Sequence, residues 1–267
     1  MDNRAIYTAH ADKIYDKRYN SRNPLRRYVH RAQYESILRY IHPHERVIDI
    51  GCGEGVLACL MAEKGVRVVG IDISEPNISA ARELARRLRV EERVTFQLGD
   101  AENVPVPDES FDAAVSCHVL EHLPHFEKGL AEIRRVTKGK AIIALPTLLN
   151  LCSMVQVGHG SFWEFSKRSL LALPVGLARA LIHIFAEGVD EGYMGHTELI
   201  HIFRWPWIAK RRLRAGGFKI EKIEASTLAL PYLSLLVPFN RALDKTKALP
   251  FFRNFGYGTT VVLRKLK

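Results

Sequence analysis

The stretch Val47-Ile48-Asp49-Ile50-Gly51-Cys52-Gly53-Glu54-Gly55 constrains the fold of this chain more than any other. An apolar run with one acid inside it ends in glycines at alternating positions, and a helical pattern follows. Glycine has no Cβ to hold a ligand off and adopts positive φ readily, so a strand that ends this way brings its backbone close to a bound group. A second acidic strand end, Val68-Val69-Gly70-Ile71-Asp72, follows about twenty residues on, the spacing at which a neighbouring parallel strand offers a carboxylate to a ribose. Together the two segments predict a cofactor loop.

Downstream, strand and helix patterns alternate. Helix 55–64 leads to strand 66–71, helix 76–89 with Pro76 in its first turn, and strand 93–98. A loop rich in Pro and Asp spans Asp100 to Ser110. Strand 111–117, a helix from Phe126 to Val136 and strand 140–145 come next. Strands separated by helices imply right-handed crossovers and a parallel sheet covered on both faces, with ligands at the carboxyl ends of the strands. Asp49, Asp72, Asp100 and the segment Ser116 to His118 all fall at or near such ends. Before the first strand, Leu25, Tyr28, Val29, Ala32, Ile37, Leu38 and Ile41 recur at helical spacing. After strand 140–145 the alternation stops until a basic helix from Trp205 to Ala215, closed by Gly216-Gly217. Strands 218–225 and 259–264 end the chain.

These segments resemble the class I S-adenosylmethionine-dependent methyltransferases, in the broad group acting on small molecules and lipids. The carriers of the likeness are Val47 to Gly55, Gly70-Ile71-Asp72-Ile73-Ser74, Gly99-Asp100-Ala101-Glu102-Asn103-Val104-Pro105, Ser110 to Ser116 and Val119-Leu120-Glu121-His122-Leu123. The resemblance covers residues 35 to 145 closely and the last two strands loosely. It implies an α/β fold: a Rossmann-like, doubly wound, mostly parallel seven-stranded sheet with an apolar, mainly helical insertion. By the same resemblance Asp49 and the backbone of Gly51, Cys52 and Gly53 hold the methionine end of S-adenosylmethionine, Asp72 the ribose hydroxyls, and Asp100 with Ala101 the adenine edge. Ile73, Ser116 and His118 complete the expected cofactor contacts. The chemistry is consistent, because a carboxylate accepts two hydroxyl donors well and a cofactor without phosphates needs no P-loop lysine. A dinucleotide site would instead show G-x-G-x-x-G, whereas Val56-Leu57-Ala58 follows the last glycine here.

Methyl transfer from a sulfonium asks the protein to align donor and acceptor and, where needed, to remove a proton. The candidate catalytic residues are His118, His122, His196 and His201. His118 directly follows the fourth strand, His122 sits in Leu120-Glu121-His122-Leu123, and the last two lie in the segment from Gly195 to Phe203. Each also has an ordinary structural reading.

The expected organisation is an N-terminal helical lid at 1–45, the cofactor-binding core at 46–145, an apolar cap at 146–203, and a return to the core at 204–267 with a second apolar insertion at 227–256. In the cap, Leu170 to Phe185 reads as one helix apolar over most of its circumference. Pro174 and Arg179 argue against its crossing a membrane, and no run of about 18 uncharged apolar residues occurs. Three uses of these insertions stay open: a cap that buries its own apolar face, a lid that receives a lipid or prenylated acceptor at the membrane, and a dimer interface. Under the second, Arg204, Lys210, Arg211, Arg212 and Arg214 would meet anionic headgroups.

The net charge of +10 favours an anionic partner. Basic residues interleaved with Tyr7, Tyr15, Tyr19, Tyr28 and Tyr34 keep an RNA methyltransferase open as the alternative, although no separate RNA-binding module is recognisable. A non-catalytic protein that binds the cofactor or a lipid is the third reading. The four cysteines, Cys52, Cys59, Cys117 and Cys152, form no C-x-x-C pair, so no zinc or disulfide is expected, and the N-terminus lacks an apolar signal core. A reducing cytoplasm, at the inner face of the membrane for a lipid acceptor, is the expected setting. The sequence leaves the acceptor and the oligomeric state undefined.

Overall fold

A computed structural model of the chain describes residues 15–191 and 200–266. After a short turn of helix at Tyr15–Tyr19, the chain forms α1 (Pro24–Leu38), β1 (Arg46–Ile50), α2 (Val56–Glu63), β2 (Arg67–Asp72), α3 (Glu75–Leu88), β3 (Val94–Leu98), β4 (Phe111–Cys117), α4 (Phe126–Val136) and β5 (Thr137–Leu145). The cap contains α5 (Leu151–Val157), α6 (Lys167–Ile182), β6 (Gly188–Asp190) and β7 (Ile202–Arg204). The chain then returns through α7 (Pro206–Ala215), β8 (Phe218–Ala225), α8 (Val237–Leu243) and β9 (Thr259–Lys265).

Seven strands make one sheet in the order β3-β2-β1-β4-β5-β9-β8. The first five are parallel, and β9 inserts antiparallel between β5 and β8. The order reverses direction at β1 and β4, and a crevice opens beyond their carboxyl ends, where ligands bind in sheets of this kind. Alternation along each strand divides the core. Val47, Ala113 and Val115 face α1, α2 and α3, whereas Ile48, Ile50 and Ala114 face α4 and α7. Both faces are therefore buried, and the strands read as nearly continuous apolar runs.

Local chemistry sets the helix ends. Asn23 caps α1, its Oδ1 accepting from the Arg26 N–H at 3.0 Å, and Pro24 opens the first turn. The Ser74 hydroxyl caps α3 in the same manner. In the cap, Ser166 Oγ accepts from Ser169 N–H at 3.0 Å and starts α6 three residues before the expected Leu170, and the helix ends at Ile182.

The packing of α6 divides its apolar circumference into a buried and an exposed side. Ser169, Ala172, Gly176 and Ala180, three or four residues apart along one side, are buried against α5. Gly176 permits that contact, since a Cβ there would lie 1.8 Å from the Met154 carbonyl oxygen on α5. The opposite side carries Leu170, Leu171, Leu177, Leu181 and Ile182, all exposed, and Phe185 beyond the helix end is fully so. Among the described residues no helix is long and apolar enough to cross a membrane.

The cap is tied to the sheet by polar contacts at its two ends. The Leu148 N–H donates to the Arg204 carbonyl at 3.0 Å, and the Thr147 and Thr259 hydroxyls bond at 2.9 Å. Asn23 Nδ2 donates to the Trp163 carbonyl at 3.1 Å, which ties α1 to the cap.

Candidate functional site

A cleft of about 880 Å³ lies over the carboxyl ends of the central strands, at the upper end of the range for small-molecule sites. One wall belongs to the sheet. The glycine turn after β1 sits there because Gly51 N–H and Cys52 N–H both donate to the Ile71 carbonyl, at 2.7 and 2.8 Å, which folds the turn back onto β2. Gly51 has φ +75° and a Cβ on it would meet Val119 Cγ2 at 2.3 Å, so only glycine fits.

Asp72 at the end of β2 binds the turn from the other side. Its Oδ2 accepts from Gly53 N–H at 2.8 Å, and its Oδ1 accepts from Ser74 N–H at 3.0 Å and from Asn77 Nδ2 at 3.1 Å. The carboxylate thus fixes the turn as well as facing the cleft. Burial raises its pKa, against these hydrogen bonds, which lower it.

Asp49 is 1% exposed, and its Oδ2 has no hydrogen-bond partner. Burial pushes its carboxyl up to about 7, and the negative charge of Asp72 adds to the effect. A buried carboxylate oxygen without a donor suits a cationic ligand group, which would meet its unfilled valence. Asp100 Oδ1 accepts from Glu102 N–H at 2.8 Å, and Asp100 and Ala101 close this wall.

The cap and α1 supply the other wall. His118 follows β4 with φ +57°, its N–H donating to the Ala144 carbonyl at 3.0 Å. Its Nδ1 lies 2.9 Å from Glu121 Oε1, and its Nε2 is buried with no hydrogen-bond partner. Beside it stand His30, Trp163 and Tyr257; the His30 ring lies 5.3 Å from Trp163, and the His118 ring 6.3 Å from Tyr257. Burial holds His30 well below the usual histidine range, and the charges of Arg18, Arg26 and His118 lower it further.

His122 and His201 stack with ring centroids 4.5 Å apart. His122 Nδ1 is 3.1 Å from the Ile200 carbonyl, and His201 Nδ1 is 3.4 Å from Glu191 Oε1. Burial lowers the His122 pKa to about 4, partly opposed by the Glu121 charge. Burial also acts to raise Glu121, but His118, His122 and His201 around it outweigh that, and its carboxyl sits below the ordinary value.

The cleft therefore brings together Asp49, Gly51, Cys52, Gly53, Asp72, Ile73, Asp100, Ala101, His118, His122 and His201. Ser116 is the exception. It is buried on the face of β4 turned away from the cleft, because side chains alternate along a strand and Cys117 takes the cleft-facing position. His196 lies outside the described residues. The basic residues assigned to headgroups are also redistributed. Arg204 is buried with its guanidinium 4.5 Å from the Phe126 ring, Arg212 pairs with Glu127 and Glu187, and Lys210 donates to Asn254 at 2.7 Å. Arg211 and Arg214 remain exposed.

His30, Gln33, Trp163, Glu191 and Tyr257 also line the cleft and were not singled out from the sequence. They come from α1, from the cap and from the turn before β9, so only the tertiary fold collects them. Glu121 could have been found, since it stands inside the motif that carries His122.

Residues 48–145 match the family model described as a methyltransferase domain. Residues 48–145 form a class I S-adenosylmethionine-dependent methyltransferase domain. Over 107 residues it is 38% identical to 2-phytyl-1,4-naphtoquinone methyltransferase of Synechococcus elongatus, covering 39% of this chain and 46% of that one. It is 37% identical over 100 residues to ajmaline N-methyltransferase of Rauvolfia serpentina, covering 37% of this chain and 34% of that one. The matched stretch thus spans less than half the length of these curated relatives. Among solved structures, magnesium protoporphyrin IX methyltransferase of Synechocystis superposes with a TM-score of 0.63 at 15% identity, covering 98% of each chain. That likeness establishes the methyltransferase fold through the cap and the last strands.

Proposed function

We propose that this protein is an S-adenosylmethionine-dependent methyltransferase that acts on an oxygen or carbon of a hydrophobic, lipid-like or prenylated acceptor, drawn from the cytoplasmic face of a membrane. The observation that carries the reading is the two-sided cleft. One wall holds the glycine turn with Asp49, Asp72 and Asp100, and the other holds His118 among Trp163, Tyr257 and His30. The methyltransferase domain supplies the first wall and the His118 of the second, to which α1, the cap and the turn before β9 add His30, Trp163 and Tyr257.

The residues fit S-adenosylmethionine. Asp49, with its unpartnered oxygen, would take the ammonium of the methionine end beside Gly51, Cys52 and Gly53. Asp72 and Ile73 would face the ribose, and Asp100 with Ala101 the adenine. When bound, the cofactor supplies a methyl group on a sulfonium, open to in-line attack.

This chain's own residues do the rest. The two walls hold donor and acceptor together and exclude water. Glu121 fixes the His118 imidazole through Nδ1, which leaves the buried Nε2 without a hydrogen-bond partner; that nitrogen would take a proton from an acceptor hydroxyl seated against it.

The apolar acceptor is supported by the outward side of α6. Leu171, Leu181, Ile182 and Phe185 face solvent, Lys167 and Arg168 stand exposed in the first turn, and Arg168 also lines the cleft. An apolar face beside basic residues suits insertion at an anionic lipid surface. Tyr232 adds the second insertion to the same region, its hydroxyl donating to the Ser169 carbonyl at 2.6 Å. The named relative from Synechococcus, a phytyl-naphthoquinone methyltransferase, agrees with this choice of acceptor class. The RNA reading has less support: Tyr15, Tyr19 and Tyr34 pack against the core, and the Tyr28 hydroxyl donates to Asp244 at 2.5 Å.

The test is transfer of radiolabelled methyl from S-adenosylmethionine into a total cell extract, partitioned between organic solvent, RNA and aqueous small molecules. Label in the organic phase is expected. Label in RNA would overturn the acceptor assignment, and no transfer into any fraction would leave cofactor binding as the function.

A further inference from the structure

The floor of the acceptor wall carries a second constellation, which shares Glu121 with the His118 pair. Glu121, His122 and His201 each offer one ligand atom, and these atoms lie within 4.8 Å of one another. Glu121 and His122 come from the single turn Leu120–His122 after β4, and His201 directly precedes β7 in the cap. The group therefore joins core and cap inside the cleft.

Three features suit it to a metal ion. First, Glu121 is 1% exposed and its Oε2 has no hydrogen-bond partner, while Oε1 faces His118. A carboxylate oxygen held away from water is costly unless a cation or donor meets it. Second, the His122 contact fixes a tautomer. A carbonyl only accepts, so Nδ1 must carry the hydrogen given to Ile200, and Nε2 carries the lone pair. Metal-ligating imidazoles are held in this way, by donation of the other ring nitrogen to a carbonyl or carboxylate. Third, Glu191 Oε1 stands at 3.4 Å from His201 Nδ1, the position of an outer carboxylate on a second ligand.

We propose that Glu121, His122 and His201 bind one first-row divalent transition-metal ion. Two imidazoles and one carboxylate suit zinc, iron or manganese better than magnesium or calcium, which prefer all-oxygen sets. Three protein ligands leave coordination positions open toward the cleft. On the methyltransferase reading, those positions would take an oxygen of the acceptor, so that acceptors bearing a hydroxyl or carbonyl are selected. Ion binding itself does not depend on that reading.

The experiment uses the full-length chain without an affinity tag, titrated with Co²⁺ and followed by visible d–d absorption, with Zn²⁺ calorimetry in parallel. Saturation at about one ion per chain is expected, with a loss of about 100-fold or more in affinity in Glu121→Gln, His122→Ala and His201→Ala. His42→Ala, at an exposed histidine outside the cluster, serves as the control and should leave binding unchanged. Circular dichroism of each variant separates lost ligands from lost folding. Should a variant unfold, the intensity of the wild-type cobalt spectrum still decides, since weak six-coordinate bands of solvated ion would refute the site. Absence of binding, or binding that survives all the cluster substitutions, would overturn the proposal. S-adenosylmethionine affinity measured with and without a chelator stays independent of this result, so the failure of one reading is distinguishable from the failure of the other.

Discussion

Asp49 shows how a single residue links pH to ligand binding. Its folded pKa of about 7 stands above the ordinary carboxylate value, because burial disfavours the charged form and Asp72 adds to the effect. A raised carboxylate pKa means that the folded chain binds more protons than the unfolded chain between pH ~4 and ~7. Without cofactor, stability should therefore fall as pH rises through that window, and Asp49→Asn should flatten the dependence; thermal denaturation at several pH values checks this. Pairing with a ligand ammonium requires the ionised form, whose fraction drops about tenfold from pH 8 to pH 6. Cofactor affinity by calorimetry should weaken by about that factor in the wild type and lose its pH dependence in Asp49→Asn. A flat wild-type profile would count against Asp49 as the ammonium partner. Asp72 plays a double part, since it also holds Gly53 N–H and the start of α3. Asp72→Ala should lower cofactor affinity about 100-fold or more through lost charge-assisted hydrogen bonds and a loosened turn together. Near-wild-type affinity would refute the assignment. The strand-end acids were legible from sequence because position at a strand terminus fixes what they face. Ser116 lies off the cleft because adjacent strand positions take opposite faces and Cys117 holds the cleft-facing one.

At the scale of elements, α6 illustrates a limit of apolar patterning. Its sequence shows leucines around most of the helix, but the buried side is the one made of Ser169, Ala172, Gly176 and Ala180. Small residues there let the backbones of α5 and α6 approach closely, and the large side chains are left outside. Hydrophobicity alone cannot tell which side a helix buries when close backbone approach competes with side-chain burial. Gly176→Ala tests the packing: the new methyl would meet the Met154 carbonyl at 1.8 Å, against backbone that cannot yield without moving α5. It should destabilise the cap by about 1–3 kcal/mol. Hydrogen exchange would show faster opening of α5 and α6, while β1 to β5 stay protected. Equal protection in both proteins would mean that the helices separate without cost.

For the molecule as a whole, the sequence made the core legible and left the cap obscure. Segments from Val47 to Leu145 alternate strand and helix with caps and glycines at their ends, so local rules agree with the fold. The cap lacks that agreement: α5, the pairing of β6 with β7 and the cleft-lining Trp163 and Glu191 depend on contacts distant in sequence. The same division decides how the protein should meet a membrane. With a net charge of +10, electrostatic attraction to an anionic surface contributes, and salt screens it over a Debye length of about 10 Å at ~0.1 M. Insertion of Leu171 and Leu181 is not screened. Binding to vesicles containing anionic lipid should therefore weaken only modestly between ~0.1 M and ~0.5 M salt, unlike the steep log-log decline of phosphate-backbone binding. Leu171→Asp with Leu181→Asp should abolish vesicle binding at both salt concentrations. Cofactor affinity should remain unchanged, because both side chains lie on the outer face of α6 and neither lines the cleft. Binding that collapses with salt in the wild type and is untouched by the double substitution would assign the attraction to charge and remove α6 from the membrane contact.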